Sequence, residues 1–292
     1  GNLKQGTVRK RLNIPKGEQI PLTDLAVIHF NSKDSYPVGE IGSVEKLKIN
    51  DTLILSGQPI GEDSLVATKG KVVAIANVGI ENGYQMLYDN STKPGMSGGP
   101  ILNISGQIVG IHGRGELDQR NSKKQGRTIK TGVNQGIPIN LFNQYMKEGK
   151  ISFETKNPTT ESDYLAMARN AQGDSGKEQT VLRLTSRALE INKSCTAYFM
   201  RGYTFSLLGE RLQSIDAYSG CIELDQNANA YVNRGREYVF LQDYAKAISD
   251  YDSALERNPH DNKAWLFRAL ANMELKRFKE AISDLANIIL NP

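Results

Sequence analysis

The carboxyl-terminal half of this chain repeats itself, and that repetition restricts the fold more than any other feature. Ala197-Tyr198-Phe199-Met200-Arg201-Gly202 recurs as Ala230-Tyr231-Val232-Asn233-Arg234-Gly235 and again as Ala264-Trp265-Leu266-Phe267-Arg268-Ala269, at intervals of 33 and then 34 residues. In each unit an aromatic residue (Tyr198, Tyr231, Trp265) is followed four positions on by a small one (Gly202, Gly235, Ala269). A second small residue (Ser214, Ala247, Ala281) comes twelve positions later. Spacing of this kind describes hairpins of two helices. The small positions let the paired helices approach, and the aromatics fill the gap between neighbouring hairpins. One such hairpin cannot bury its apolar face alone, so at least about three must stack into an array.

These motifs resemble the tetratricopeptide repeat, and Asn258-Pro259 closes one unit in the manner of that family. A weaker unit precedes the three. Ala188-Leu189-Glu190 stands one period before Cys221-Ile222-Glu223, and Tyr164 one period before Ala197. Its first helix is interrupted by Gly173-Asp174-Ser175-Gly176, so the unit is degenerate. The resemblance implies that the repeats hold a protein or peptide ligand, in a groove lined by Phe199, Tyr203, Asn233, Arg236, Lys263 and Leu270. Members that grip a terminal carboxylate spread several lysines and asparagines over successive units, and Lys263 with Asn233 does not make that set. The two cysteines, Cys195 and Cys221, form neither a zinc pattern nor a disulfide framework; they read as small apolar side chains in the packing, the alternative being that antiparallel helices bring the two together as a pair.

Charge and hydropathy exclude several classes. The 36 lysines and arginines are scattered among 32 carboxylates for a net charge of +4, the pattern of a solvated surface rather than of a nucleic-acid binder. Residues 120–130 are locally basic, but they sit among Gly, Ser and Gln and read as an exposed loop. No apolar run approaches the roughly 18 residues that a membrane span needs. No metal-ligand spacing is present, and no cofactor is expected.

The first half has a different texture. Short β-rich runs at residues 25–30, 52–56, 71–78, 85–88, 101–104 and 107–111 are separated by Gly, Pro, Asn and Asp, the rhythm of an antiparallel barrel or sandwich. Residues 103–107 read as a hairpin connection, and residues 138–147 as a short helix with Ile139, Phe142 and Met146 at helical spacing. Residues 151–162 are polar and read as a linker.

The most specific motif is Gly95-Met96-Ser97-Gly98-Gly99-Pro100, followed by the strand pair at residues 101–111 and by Gly113-Arg114-Gly115. Acyl transfer by serine needs an exposed hydroxyl on a tight turn with backbone N–H groups near the developing oxyanion, and flanking glycines permit that backbone. From Asp24 through Asn140 the chain resembles the trypsin-like serine protease family, in particular bacterial and cyanobacterial members with tetratricopeptide repeats after the protease domain. The resemblance assigns Ser97 as nucleophile, Asp24 as the orienting acid, and the N–H groups of Gly95 and Ser97 as the oxyanion hole. It places Ser91, Thr92, His112 and Arg114 in the substrate pocket.

The fold class expected is therefore α+β in two domains: a partial trypsin-like antiparallel β-barrel domain at residues 1–149 (the second barrel plus the last strand of the first), a linker at 150–162, and an all-α array at 163–292 with one degenerate and three regular units. In glutamate-specific relatives a histidine at the position of His112 and a hydroxyl at that of Thr92 receive an acidic side chain. Ser91, where basic-specific enzymes carry aspartate, argues against a Lys or Arg preference. The family's general-base histidine lies upstream of the aspartate, and the residues before Asp24 contain none. His29 is five residues beyond Asp24, an odd spacing that sends the two side chains to opposite faces of a strand, and His260 lies between repeats. The chain as given is thus expected to be inert as a protease, reading as a fragment of a longer one that cleaves polypeptides. The alternative is a pseudoprotease scaffold that works by binding alone. The resemblance favours a secreted or periplasmic setting.

Overall fold

The computed structural model describes residues 18–19, 26–27, 39–115, 133–149, 157–172, 174 and 176–290. Asp24, His29 and the basic segment at 120–130 lie outside the described residues. The chain divides into two compact units, residues 1–170 and 171–292.

In the first unit, β1 (Glu18–Gln19) and β2 (Ala26–Val27) pair antiparallel. A closed barrel follows, formed by β3 (Thr52–Gly57), β4 (Val66–Ile75), β5 (Met86–Tyr88), β6 (Pro100–Leu102), β7 (Ile108–Arg114) and β8 (Asn134–Pro138), in the order β3-β4-β5-β8-β7-β6. Alternation explains the inside of this barrel. Along β3 every second residue is buried, so Leu53 and Leu55 enter a core with Val72, Met86, Tyr88, Ile101 and Val109. Strand β8 is buried throughout, because β5 pairs with one edge and β7 with the other. The expected hairpin at 103–107 is present, with the Asn103 side-chain oxygen accepting the N–H groups of Ser105 and Gln107, both at 3.0 Å.

Helix α1 (Ile139–Glu148) buries Ile139 and Leu141, while Met146 is exposed, and it ends at Gly149 in the left-handed region. Helix α2 (Glu161–Gln172) starts with a reciprocal cap. Asp163 N–H donates to the Thr160 hydroxyl at 3.2 Å, and Thr160 N–H donates to the Asp163 carboxylate at 3.0 Å. The other oxygen of that carboxylate accepts Asn77 N–H at 2.8 Å, which fastens the start of α2 to the segment after β4.

The second unit is a succession of helical hairpins: α3 (Glu178–Ile191), α4 (Cys195–Leu208), α5 (Arg211–Asp225), α6 (Ala228–Phe240), α7 (Tyr244–Arg257), α8 (Asn262–Glu274) and α9 (Phe278–Leu290). Ser194, Asn227, Asp243 and Asp261 cap α4, α6, α7 and α8 by accepting first-turn N–H groups. The small positions do what the repeat demands. A Cβ on Gly202 would stand 2.9 Å from the Tyr218 ring, one on Gly235 would stand 2.8 Å from the Tyr251 ring, and the Ser214 hydroxyl donates to Gly202 O at 2.9 Å. Of the two readings of Cys195 and Cys221, separate apolar thiols or a pair brought together by antiparallel helices, the structure has the second. The antiparallel hairpin brings the first turn of α4 beside the last turns of α5, and the two sulfurs are bonded.

Candidate active site and repeat surface

Three constraints shape the turn at residues 94–99. Gly95 has φ +98°, and a Cβ there would stand 2.6 Å from Ile60 N, so conformation and space both exclude a side chain. Met96 turns inward to the barrel core, where its sulfur receives the Lys93 N–H at 3.4 Å. Gly98 N–H donates to His112 O at 2.7 Å and His112 N–H to Gly99 O at 2.8 Å, tying the turn to β7. Ser97 is left exposed, with its hydroxyl donating to Gly113 O at 2.7 Å. Among the described residues the N–H groups of Gly95 and Ser97 make no hydrogen bond.

An exposed hydroxyl beside uncommitted N–H groups can serve acyl transfer, supplying a nucleophile and donors for an oxyanion. It still needs a base. The Gly113 carbonyl accepts the Ser97 hydrogen bond, but a neutral amide oxygen cannot take the proton. Lys93 is no substitute, since its ammonium is held by Glu62 at 2.8 Å on the surface.

Beside the turn lies a buried polar cluster. Thr92, only 7% exposed, donates its hydroxyl to the Asn134 side-chain oxygen at 2.9 Å. The orientation of that amide is fixed, because its NH2 donates to two carbonyls, Asn90 O at 2.6 Å and Tyr88 O at 3.2 Å. The Thr92 proton is therefore committed to Asn134, and the hydroxyl turns lone pairs rather than a donor toward any other group. His112 is 2% exposed, and its Nδ1 lies 2.5 Å from the Tyr88 hydroxyl. Burial pushes the His112 imidazole down to about 4, and it raises the Tyr88 phenol well above its ordinary value, with Tyr84 adding to the rise. Both groups are neutral at neutral pH.

The remaining pocket residues are split. Ser91 is exposed, and the Arg114 guanidinium stacks on the Tyr84 ring at 4.7 Å to the centroid. Gly115 leaves room, since a Cβ there would stand 3.0 Å from the Thr92 hydroxyl oxygen. Arg169 of α2, buried, donates to Gly115 O and to Val133 O, each at 3.2 Å, so one guanidinium links these two residues. Tyr88, Asn134 and Arg169 were not singled out from sequence. Asn134 sits in a run of Asn, Gln, Gly and Pro that carries no strand signal, and only its two neighbouring strands make it β.

In the second unit Phe199 and Tyr203 are buried, with Phe199 packed edge-on against Tyr218 at 5.4 Å. Asn233 accepts from Arg236 at 3.3 Å, and the Arg236 guanidinium lies over Phe267. Lys263 is half-buried, and Leu270 is 50% exposed. The repeated arginine forms a ladder. Arg234 binds Asp250 through two bonds of 2.9 and 2.7 Å and Ser219 at 2.8 Å. Arg268 binds Asp284 at 3.1 and 2.6 Å and also Asp252, and Arg201 binds Ser186 at 2.5 Å. Each arginine thus links its own helix to the second helix of the preceding hairpin. Among the described residues no cluster of His, Cys, Asp and Glu could hold a metal ion, and no helix is long and apolar enough to cross a membrane.

Comparison with known proteins agrees with both halves. Residues 5–111 match the model of the trypsin-like peptidase domain, and residues 196–227 and 232–291 match tetratricopeptide repeat models. The chain is 32% identical over 134 residues to a probable periplasmic serine endoprotease DegP-like of Pseudomonas putida, covering 45% of this chain and 27% of that protein. It is 31% identical over 124 residues to a putative serine protease HhoA of Synechocystis, covering 40% of this chain and 29% of that one. It thus spans less than a third of the length of these two relatives. A crystal structure of MamA overlaps 45% of this chain and 77% of its own, at 21% identity and a TM-score of 0.43.

Proposed function

We infer the activity of this chain from its make-up, a trypsin-like peptidase segment joined to tetratricopeptide repeats. It is the serine-bearing portion of an endopeptidase, coupled to an array that binds protein. Ser97 is the nucleophile, Asp24 the orienting acid, and the N–H groups of Gly95 and Ser97 the oxyanion donors. One observation carries the reading: Ser97 stands exposed on a turn whose adjacent N–H groups are uncommitted. Ser91, Thr92, His112 and Arg114 surround the substrate side chain, and His112 selects an acidic one. The array, from residue 163 onward, holds a protein or peptide along Arg236, Lys263 and Leu270; Phe199, Tyr203 and Asn233, expected in the same groove, are buried and do not line it.

None of the three histidines acts as the base. His112 is buried on Tyr88, and in the sequence all three histidines follow Asp24, whereas the resemblance puts the general base before it. Loss of one triad member lowers turnover on the order of a million-fold. The 292-residue chain by itself therefore binds without cleaving. The Ser97 hydroxyl resting on a carbonyl favours a second reading, a non-catalytic binding scaffold.

The natural protein, with its amino terminus read by mass spectrometry, separates the two readings. Cleavage of an unfolded polypeptide after Glu that disappears in Ser97→Ala supports the endopeptidase. Natural protein that carries a Thr-Ala-x-His segment and yet cleaves equally well with Ser97→Ala would overturn it.

A further inference from the structure

The helical unit ends on a face that its preceding hairpin keeps covered. Val232 and Val239 of α6 and Tyr244, Ile248, Tyr251 and Leu255 of α7 pack into one apolar cluster with Ala264 and Ala271 of α8. One period later the same six positions, now on α8 and α9, are Leu266, Met273, Phe278, Ile282, Leu285 and Ile289. All of them are apolar again, yet here they are between 38 and 77% exposed. The end of a repeat array that faces water carries a polar outer surface, and apolar side chains grouped on one face mark a contact site.

The arginine ladder restricts what can cover this face. Ser186 of α3, Ser219 of α5 and Asp252 of α7 each accept the arginine that the next hairpin brings, Arg201, Arg234 and Arg268 in turn. The matching position on α9 is Ala286. A further hairpin of the same kind would bury its arginine there against a methyl group, with no acceptor in place of the lost water. The occupant is therefore a helix with an apolar stripe and no arginine at that level. Helix α9 is itself such a helix: Phe278, Ile282, Leu285 and Ile289 follow one another at helical spacing, and no arginine falls within it. A stripe without charge also meets its own copy with no like charges opposed.

We propose that this end face joins two copies of the chain, with α9 of one packed on α9 of the other about a two-fold axis. A two-fold contact uses the same patch on both copies, so an uncharged apolar stripe is complementary to itself. Each copy then gives the other the apolar helix that α8 gives to α7 within the chain. The contact continues the hairpin-on-hairpin packing of the array and leaves Ala286 facing apolar side chains rather than an arginine.

Sedimentation equilibrium of the 292-residue chain is expected to show monomer and dimer in exchange. Ile282→Lys is expected to weaken the dimer at least about 100-fold, because the new charge enters a two-fold contact twice. Ile289→Lys should act in the same direction, and Leu212→Lys, at an exposed leucine of α5, should leave the equilibrium unaltered. Trp265 fluorescence and circular dichroism check that each variant is folded. A monomer at about 100 µM in the unmodified chain overturns the proposal, and that result stands whether or not the variants fold. A dimer that survives both Ile282→Lys and Ile289→Lys also overturns it, since another surface then holds the copies together. A monomeric chain that binds a synthetic peptide of the Asn262–Glu274 sequence carrying Arg268→Ala overturns it in favour of a helix from another protein on the same face.

Discussion

Acidification tests the buried His112 directly. Its imidazole titrates at about 4 in the fold against an ordinary 6.5, so between those values the unfolded chain binds a proton that the folded chain refuses. Stability of the barrel unit must then fall as pH falls through this window. A shift of this size corresponds to about 3 kcal/mol when complete, of which about 2 kcal/mol appears between pH 7 and pH 5. His112→Gln removes the titration but keeps a polar side chain near Tyr88. The quantity to compare is the pH slope, so the variant's own cost of substitution cancels. Urea unfolding followed by hydrogen exchange in barrel peptides gives the barrel stability. The single tryptophan, Trp265 on α8, reports the helical unit and serves as the internal reference. The barrel of the unmodified chain should lose about 2 kcal/mol more than His112→Gln on going from pH 7 to pH 5. Parallel slopes would refute the claim that His112 is held neutral.

Other perturbations follow from particular contacts. Arg234→Met leaves Asp250, whose side chain is 6% exposed, without its two-bonded partner, and should cost about 3–5 kcal/mol in urea unfolding read by Trp265 fluorescence. No change there would mean that the arginine ladder is not a stabilising feature. Gly99→Ala would place a Cβ 2.1 Å from Ser56 O, a backbone atom of β3, and should cost the barrel at least about 1–3 kcal/mol in thermal unfolding. Arg169→Met removes the link between Gly115 O and Val133 O, so hydrogen exchange should rise on both sides of residues 116–132 and stay unchanged in α8. The Asp163 carboxyl, although burial pushes it up, is held below its ordinary value by the N–H of Asn77 and by Thr160 and Thr159. Asp163→Asn should therefore destabilise the first unit at neutral pH and lose that effect as pH falls through the carboxylate range, measured by the same urea series.

The helical half was legible because its period is local. Gly202, Gly235 and the aromatics repeat at fixed spacing, and each small residue meets a tyrosine ring that the spacing itself implies. The Ser97 turn was legible for the same reason, since glycine at 95 is demanded by a positive φ and by Ile60. What escaped was tertiary. Strand β8 has no alternation to read, because both its edges and both its faces are covered. Tyr88 looks like any core aromatic until His112 arrives from 24 residues away, and the Thr92 hydroxyl looks like a donor until Asn134 claims its proton. The arginine in each repeat was visible as a letter, but its partners sit 15 or 16 positions off in other helices.

The account stands most directly on the chemistry of Ser97 in the 292-residue chain. A fluorophosphonate probe at neutral pH reads out whether the hydroxyl is activated, with Ser97→Ala as the control. The account predicts labelling no greater than in Ser97→Ala, because the hydroxyl donates to the Gly113 carbonyl and no histidine precedes Asp24 in the sequence. Strong labelling confined to Ser97 would contradict it and show that a base lies within this chain.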